Sequence, residues 1–203
     1  SDPTRVEPWV WSHCAWLHVS GISQAISARA CDSVFAVIDA VRAAGGKVSY
    51  DSNLRLKLWP IDRARAVIRA TIGLSDLFLP SIEEMQQLSG LADADAVFDW
   101  CLAAGAKTVV LKLGKEGALY GTVDARHRIA GHAVKAVDAT GAGDCFGGAL
   151  LARLDAGDGL AQAVSYANAA AALTTTGFGA VAPIPRAAAV KAFLEAIEGS
   201  GAP

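Results

Sequence analysis

The sequence predicts an α/β protein built on a doubly wound, mostly parallel sheet with helices on both faces. Short apolar runs alternate along the chain with amphipathic stretches of roughly 10 to 15 residues, the pattern of repeated strand–helix–strand units. Hydrophobic residues occupy 53% of the 203 positions, which is enough for one substantial core. We therefore expect a single domain over residues 1–203, with its core at about 10–198.

The first half of the chain supplies the regular part of this alternation. Apolar residues recur at helical spacing through the first long helix, which Gly45 and Gly46 end. Pro60 favours the first turn of a further helix, and Ser81 and Asp93 are candidate caps for two more. The strands predicted here are residues 16–20, 47–51, 76–79 and 108–113, and the helices are 31–44, 60–70, 81–88 and 93–104.

The second half departs from that alternation. The run 118–123 directly follows a β-rich strand, which favours an antiparallel, hairpin-like addition to the sheet, and 132–137 is expected to be one more strand. Small alanine side chains then dominate and suit close packing of helices. The predicted helices of this half are 141–156, 160–175 and 185–198.

Charge and hydropathy exclude two classes of partner. Eighteen basic and 20 acidic residues give a net charge of −2, which lacks the basic excess that drives binding to a nucleic-acid backbone. No apolar run approaches the ~18 residues of a membrane span, and the start of the sequence has no secretory pattern. A soluble, cytoplasmic protein without nucleic-acid or membrane partners is expected.

The most informative segment is D-A-T-G-A-G-D, residues 138–144, between a predicted strand and a predicted helix. Backbone N–H groups at a helix N-terminus bind anions, and glycines let a phosphate approach closely. The glycine spacing fits neither the dinucleotide fingerprint nor the Walker loop. Asp144 would repel a bound phosphate, but it suits a base that deprotonates an attacking hydroxyl. The competing interpretation is a helix-capping acid that complements the helix dipole.

This segment resembles the second signature of the ribokinase-like (pfkB) carbohydrate kinases, usually written D-T-x-G-A-G-D. The resemblance implies a ribokinase-like fold, with Asp144 as catalytic base that also contacts the substrate. It implies an anion hole for the γ-phosphate of ATP at Gly141, Ala142 and Gly143. In many members the loop borders a monovalent-cation site, so Asp138 is a candidate for K⁺ binding.

Two other segments match positions that bind ATP in this family. The run V-V-L-K-L-G-K-E-G is similar to the strand and turn that lie over the nucleotide phosphates, which implies roles for Lys112, Gly114, Glu116 and Gly117. Asn168, on an alanine-rich helix, matches a position that contacts adenine. An exposed lysine at a strand end and an interhelical hydrogen bond are the alternatives for Lys112 and Asn168.

The segment D-S-N-L-R-L-K-L-W, residues 51–59, bears on the substrate. Strand ends form the ligand crevice of such sheets, and an arginine there suits an acidic sugar. The segment resembles that of 2-keto-3-deoxygluconate kinases, which implies that Arg55 contacts the sugar acid and that Asn53 lies near the phosphates of ATP. The alternative for Arg55 is a surface ion pair with an acid such as Asp62.

One family position is changed. The kinases commonly have Asn-x-x-Glu where this chain has Ser81 and Glu84, and that glutamate orders water around Mg²⁺. Glu84 is therefore expected to contact the metal only through water. Mg²⁺ itself is expected because ATP reacts as its magnesium complex.

Together these features predict ATP-dependent phosphorylation of a sugar acid, 2-dehydro-3-deoxy-D-gluconate, at its C6 hydroxyl. Two alternatives stay open. One is a fructokinase, ribokinase or nucleoside kinase of the same fold. The other is a nucleotide-binding fragment without catalysis, because the resemblance covers only the last two thirds of the family and lacks its N-terminal strands and β lid. The resemblance also implies a homo-oligomer for the parent protein.

Overall fold

The structure is a computed structural model that describes residues 7–200. These residues divide into two compact units. The first unit holds the described residues up to Lys112 together with Leu119–His127, and the second holds Leu113–Ala118 and the described residues from Arg128 onward. The expected single domain over the whole chain stays a prediction.

The first unit contains the predicted parallel strands. Each strand pairs with the next, and Trp16 lies opposite Lys47 at the start of the first pair. The strands are β1 (Trp16–Ser20), β2 (Lys47–Asp51), β3 (Leu77–Phe78) and β4 (Thr108–Lys112). The helices are α1 (Pro8–Ser12), α2 (Gly21–Ala25), α3 (Ala28–Ala43), α4 (Ile61–Ile72), α5 (Ile82–Ser89) and α6 (Ala94–Ala103).

Local sequence signals explain most helix starts. The Asp93 carboxylate accepts a hydrogen bond from the Ala96 N–H at the start of α6, as its position predicts. Pro60 is the residue that precedes α4. Ser81 occupies the N-cap position of α5 but its side chain makes no capping hydrogen bond. The short helices α1 and α2 have no clear periodicity, which is why the sequence does not predict them.

Two more strands complete a sheet in the order β1-β2-β3-β4-β5-β6. They are β5 (Ala118–Gly121) and β6 (Arg126–Ile129). Only a tight turn joins β4 to β5, and the Leu113 N–H donates to the Gly117 carbonyl across it at 2.8 Å. So short a connection requires antiparallel neighbours, because parallel strands need a long crossover. The sheet is therefore mixed.

The strand predicted at 132–137 is wrong, since those residues are irregular and the strand lies earlier, at β6. The N–H groups of Val137 and Asp138 both donate to the Thr175 carbonyl at 2.7 and 3.1 Å, which ties the segment to the end of a helix. The sequence R-H-R-I of β6 is mostly exposed and carries no apolar alternation. A strand that buries so little gives no pattern to detect.

The second unit contains the three alanine-rich helices that the sequence predicts. Cys145, Ala169, Ala170 and Val190 form a buried cluster against which Phe193 packs. The helices are α7 (Ala142–Asp155), α8 (Leu160–Thr174) and α9 (Ala187–Ser200). Across residues 7–200, no helix is both long and apolar enough to cross a membrane.

A polar network lies within the core of the first unit. The Tyr50 hydroxyl donates to Gln24 Oε1 at 2.9 Å, and Gln24 Nε2 donates to Thr71 Oγ1 at 2.8 Å. All three residues are fully buried, and Thr71 Oγ1 in turn donates to the Val67 carbonyl. The chain of hydrogen bonds links α2, β2 and α4 and satisfies groups that would be costly to bury alone.

We expect Tyr50→Phe to lower the free energy of unfolding by about 1 to 3 kcal/mol, because it leaves Gln24 Oε1 buried without a donor. Urea denaturation measures the change. The double variant Tyr50→Phe/Gln24→Leu should lose less than the sum of the two single variants, since both partners are then apolar. A single variant as stable as the wild type would contradict the role given to this network.

Candidate active site

The first group of candidate residues belongs to the first unit and lies at the carboxyl ends of β2 and β4. Lys112 Nζ is 2.6 Å from Asp51 Oδ2, and both side chains are largely buried, at 13% and 9% exposed. The predicted alternative of an exposed strand-end lysine is therefore wrong. Lys112 has two further N–H donors, so its predicted contact with ATP stays a prediction.

Asp51 also fixes the backbone of Asn53. Its Oδ1 accepts a hydrogen bond from the Asn53 N–H at 3.0 Å. Asn53 has a φ of 36°, and it is the one described non-glycine residue with positive φ. Strained backbone of this kind clusters at functional sites, and asparagine tolerates it better than most residues. Asp51 thus connects the Lys112 ion pair to the position predicted to lie near ATP.

Arg55 is held by Glu84, from helix α5. Arg55 Nη1 lies 3.6 Å from Glu84 Oε1 and donates to the Leu54 carbonyl at 2.9 Å. Its side chain is 53% exposed, so the guanidinium remains accessible to a ligand. The alternative pairing with Asp62 is wrong, because Asp62 instead pairs with Arg65 at 2.9 Å.

Glu84 is mostly buried and accepts a second contact. Ser52 Oγ donates to Glu84 Oε2 at 2.6 Å. Burial raises the pKa of the Glu84 carboxyl, and the Ser52 hydrogen bond opposes that shift. Among the described residues no group of three or more His, Cys, Asp or Glu side chains could hold a metal ion. A divalent ion at Glu84 would depend on water and phosphate oxygens for its other ligands.

Ser52 and Gly21 are positions that sequence reasoning missed. Ser52 is fully buried, and a Cβ on Gly21 would lie 2.0 Å from the Ser52 carbonyl oxygen. Any side chain at residue 21 would therefore push the end of β2 away from α2. A serine at the middle position of the D-x-N motif, directly after a buried strand, is the signal that could have indicated a partner for Glu84.

The second group of candidate residues belongs to the second unit and surrounds the loop that precedes α7. Asp138 Oδ1 accepts from the Thr140 N–H and hydroxyl at 2.9 and 2.6 Å, and Oδ2 accepts from the Gly179 N–H at 2.9 Å. The hydrogen bonds from Thr140 and Gly179 hold the pKa of Asp138 below its ordinary value. Asp138 therefore stays ionised and ties the loop to the segment after α8.

Gly141 is the N-cap of α7, and its position has no room for a side chain. Its φ is 79°, in the left-handed region. A Cβ there would also lie 2.7 Å from the Ala180 carbonyl oxygen. The Ala142 N–H donates to the Ala139 carbonyl at 3.2 Å, and Gly143 lies in the first turn of α7, where N–H groups lack intrahelical partners.

Asp144 lies in the first turn of α7 and is exposed. The N-cap of this helix is Gly141, and no side chain caps the helix terminus. The capping interpretation of Asp144 therefore lacks its hydrogen bond, although an acid here still complements the helix dipole. An exposed carboxylate in the first turn of a helix, at its N-terminus, matches the arrangement expected of a base next to an anion site.

The third group also belongs to the second unit and includes the turn after β4. Gly114–Glu116 forms a single 3₁₀ turn, and Gly117 follows with a φ of 97°. Asn168 is only 6% exposed, and its Nδ2 donates to the Ala130 carbonyl at 2.9 Å. The predicted interhelical hydrogen bond is wrong, because Ala130 lies in the segment after β6. The adenine contact of Asn168 stays a prediction.

The structure thus brings the predicted residues together in groups. Within the first unit Asn53 and Lys112 share Asp51 as a partner, and Arg55 pairs with Glu84. Within the second unit the anion-binding loop, from Asp138 to Asp144, is braced by Gly179 and Ala180. The first group presents an ammonium and a guanidinium, each paired with an acid, which are able to contact an anionic ligand. The second group presents an exposed acid at a helix N-terminus, which is able to accept a proton.

Known proteins resemble this chain across its length. It is 37% identical to 2-dehydro-3-deoxygluconokinase of Bacillus subtilis, over 95% of this chain and 60% of that protein. Fructokinase from Vibrio cholerae, solved in fructose, ADP and calcium ion bound form, aligns with a TM-score of 0.83 and 36% identity, covering 88% of this chain and 60% of the other. This chain therefore spans about three fifths of these relatives.

A second solved relative is aminoimidazole riboside kinase from Salmonella enterica, complexed with aminoimidazole riboside and an ATP analog. It aligns with a TM-score of 0.88 and 31% identity over 95% of this chain and 66% of that protein. These neighbours confirm the expected ribokinase-like α/β fold. Because the family pattern for pfkB family carbohydrate kinases also matches residues 9–187, the chain belongs to that family.

Proposed function

We propose that the protein containing this chain is an ATP- and Mg²⁺-dependent kinase that phosphorylates a sugar acid. The observation that carries the proposal is the loop before α7, where an exposed Asp144 stands beside a helix N-terminus opened by the left-handed Gly141. Relatives named as sugar kinases support the same reaction class.

In this proposal Asp144 accepts the proton of the attacking sugar hydroxyl. The new O–P bond forms as the bond from the γ-phosphorus to the ADP oxygen breaks, and ADP leaves with that electron pair. The amides at Gly141, Ala142 and Gly143 stabilise the charge of the transferring phosphoryl group. Mg²⁺ would neutralise phosphate charge when bound, with Glu84 reaching it through water.

The remaining assignments concern ATP and a monovalent cation. We place Asn53, Lys112, Gly114, Glu116 and Gly117 on the phosphate side of ATP. The Asp51 carboxylate accepts hydrogen bonds from the Asn53 backbone N–H and from the Lys112 ammonium, and so holds together residues at the carboxyl ends of β2 and β4.

Asn168 is assigned to the adenine end of ATP. K⁺ is a candidate ligand of the Asp138 loop. Asp138 has one lone-pair site beyond its three hydrogen bonds, which leaves room for a single contact. The homo-oligomer predicted for the parent protein stays a prediction.

The substrate is proposed to be 2-dehydro-3-deoxy-D-gluconate, phosphorylated at C6. Arg55 supports an acidic substrate because its guanidinium is half exposed and only weakly engaged by Glu84 at 3.6 Å. A substrate carboxylate can form the bidentate pair that Glu84 does not. The Bacillus subtilis relative bears the matching name.

Two alternatives have their own support. The fructokinase relative, at 36% identity, favours a neutral sugar. The second alternative is a nucleotide-binding fragment without catalysis, and it is favoured because the chain spans only about three fifths of the length of its relatives. The first alternative predicts no preference for acids, and the second predicts ATP binding without transfer.

A substrate panel with Arg55→Ala tests the sugar-acid assignment. We expect KM for the sugar acid to rise about 10- to 100-fold, the value of a charged hydrogen-bonded pair, while any turnover of fructose and ribose is unchanged. Arg63→Ala is the matched control, because Arg63 is an exposed arginine on α4. Wild-type protein that prefers fructose would instead favour the neutral-sugar alternative.

A further inference from the structure

Asn168 lies in a chain of contacts that ends at the turn after β4. Its side-chain nitrogen donates to the Ala130 carbonyl at 2.9 Å, and only the amide nitrogen can make this bond, because a carbonyl accepts but never donates. The side chain is 6% exposed and stands on the small-residue face of α8. The hydrogen bond therefore fixes the backbone of Ala130 from a rigid helix.

Ala130 sits between two residues that touch the turn. A Cβ on the neighbouring Gly131 would lie 2.0 Å from the Lys115 carbonyl oxygen, and a Cβ on Gly117 would lie 2.1 Å from the Ile129 carbonyl oxygen. The two backbones are thus in contact with no side chain between them. Because these backbones are close-packed, a displacement of Ala130 must also move the turn after β4.

We infer that Asn168 is a positioning residue for the turn Gly114–Gly117, acting through Ala130 rather than by contact with the base of the nucleotide. This inference rests on the proposed function, in which that turn covers the phosphates of ATP. Asn168 then controls phosphate affinity without touching phosphate. Its effect is independent of which base the nucleotide carries.

Three ligands separate this role from an adenine contact. Dissociation constants of ATP, GTP and inorganic tripolyphosphate are measured by calorimetry for the wild type and for Asn168→Ala. We expect Asn168→Ala to weaken all three by the same factor, about three- to tenfold, the worth of one hydrogen bond. A loss confined to ATP, or no loss at all, overturns the inference.

Matched variants exclude a general loss of stability. Thr174→Val removes another buried hydrogen bond of α8, from Thr174 Oγ1 to the Ala170 carbonyl, and should leave all three affinities unchanged. Gly131→Ala should weaken the three ligands as Asn168→Ala does, because its Cβ displaces Lys115. Gly148→Ala is its control, since a Cβ there meets nothing within 4 Å.

Amide hydrogen exchange of the ligand-free protein provides a readout that needs no nucleotide. Exchange at the Leu113 and Gly117 N–H groups, which bond within the turn, should accelerate in Asn168→Ala and not in Thr174→Val. Unchanged exchange overturns the coupling even if affinities fall. If exchange accelerates in Asn168→Ala but the wild type binds none of the three ligands, the coupling between Asn168 and the turn stands. The phosphate role of the turn and the proposed nucleotide function are then both overturned.

Discussion

Replacing Asp144 by asparagine is expected to lower kcat for phosphoryl transfer by about 10²- to 10⁴-fold, the usual worth of a positioned general base. The amide cannot accept the proton of the attacking hydroxyl. ATP affinity should change little, because Asp144 is an acceptor beside an anion site and contributes no donor to it. Single-turnover kinetics and ATP titration measure the two quantities separately.

Asp155→Asn is the matched control for this variant. Asp155 is an exposed aspartate on the same helix, at its last residue, and its replacement should leave kcat unchanged. A lowered kcat in both variants would indicate a nonspecific charge effect. An Asp144→Asn protein with turnover near that of the wild type would refute the base assignment.

Lys112→Met is expected to produce the largest loss of stability, about 3 to 5 kcal/mol in the free energy of unfolding. It leaves the Asp51 carboxylate buried without its counter-ion, and Asp51 also holds the Asn53 backbone. The double variant Lys112→Met/Asp51→Asn should recover part of the loss, since no uncompensated charge remains. Urea denaturation measures all three proteins.

Lys107→Met provides the comparison. Lys107 pairs with Asp76 at the same 2.6 Å, but the lysine is 60% exposed, so about 0 to 1 kcal/mol is expected. Equal losses for Lys107→Met and Lys112→Met would contradict the view that burial makes the Lys112 pair important. A double variant less stable than Lys112→Met would contradict it as well.

The parallel strands could be predicted from short runs that contain apolar residues, and most residues of β2, β3 and β4 are buried. β1 and β2 have the predicted bounds, Trp16–Ser20 and Lys47–Asp51. β6 could not be predicted, because its R-H-R-I sequence is exposed and contacts with residues distant in sequence hold it in place. Arg126 pairs with Asp95 and Asp99 on α6 and lies over the Phe98 ring.

In the candidate site, too, contiguous motifs could be predicted from the sequence, whereas contacts between residues distant in sequence could not. The D-A-T-G-A-G-D loop is a contiguous signal, so its strained Gly141 could be predicted from the motif alone. The partners of Arg55, Lys112 and Asn168 lie 29, 61 and 38 positions away, and no pattern in the sequence specifies them. The pairing of Lys112 with Asp51 replaces the alternative of an exposed strand-end lysine, and the bond from Asn168 to Ala130 replaces that of an interhelical hydrogen bond.

Phosphorus NMR of the protein incubated with ATP, Mg²⁺ and 2-dehydro-3-deoxy-D-gluconate tests the central proposal most directly. We expect ADP and a new sugar phosphomonoester to appear together in equal amounts, and both to form about 10²- to 10⁴-fold more slowly when Asp144→Asn replaces the wild type. ATP binding without any phosphomonoester, with this sugar acid or with fructose and ribose, would contradict the account and favour a nucleotide-binding fragment.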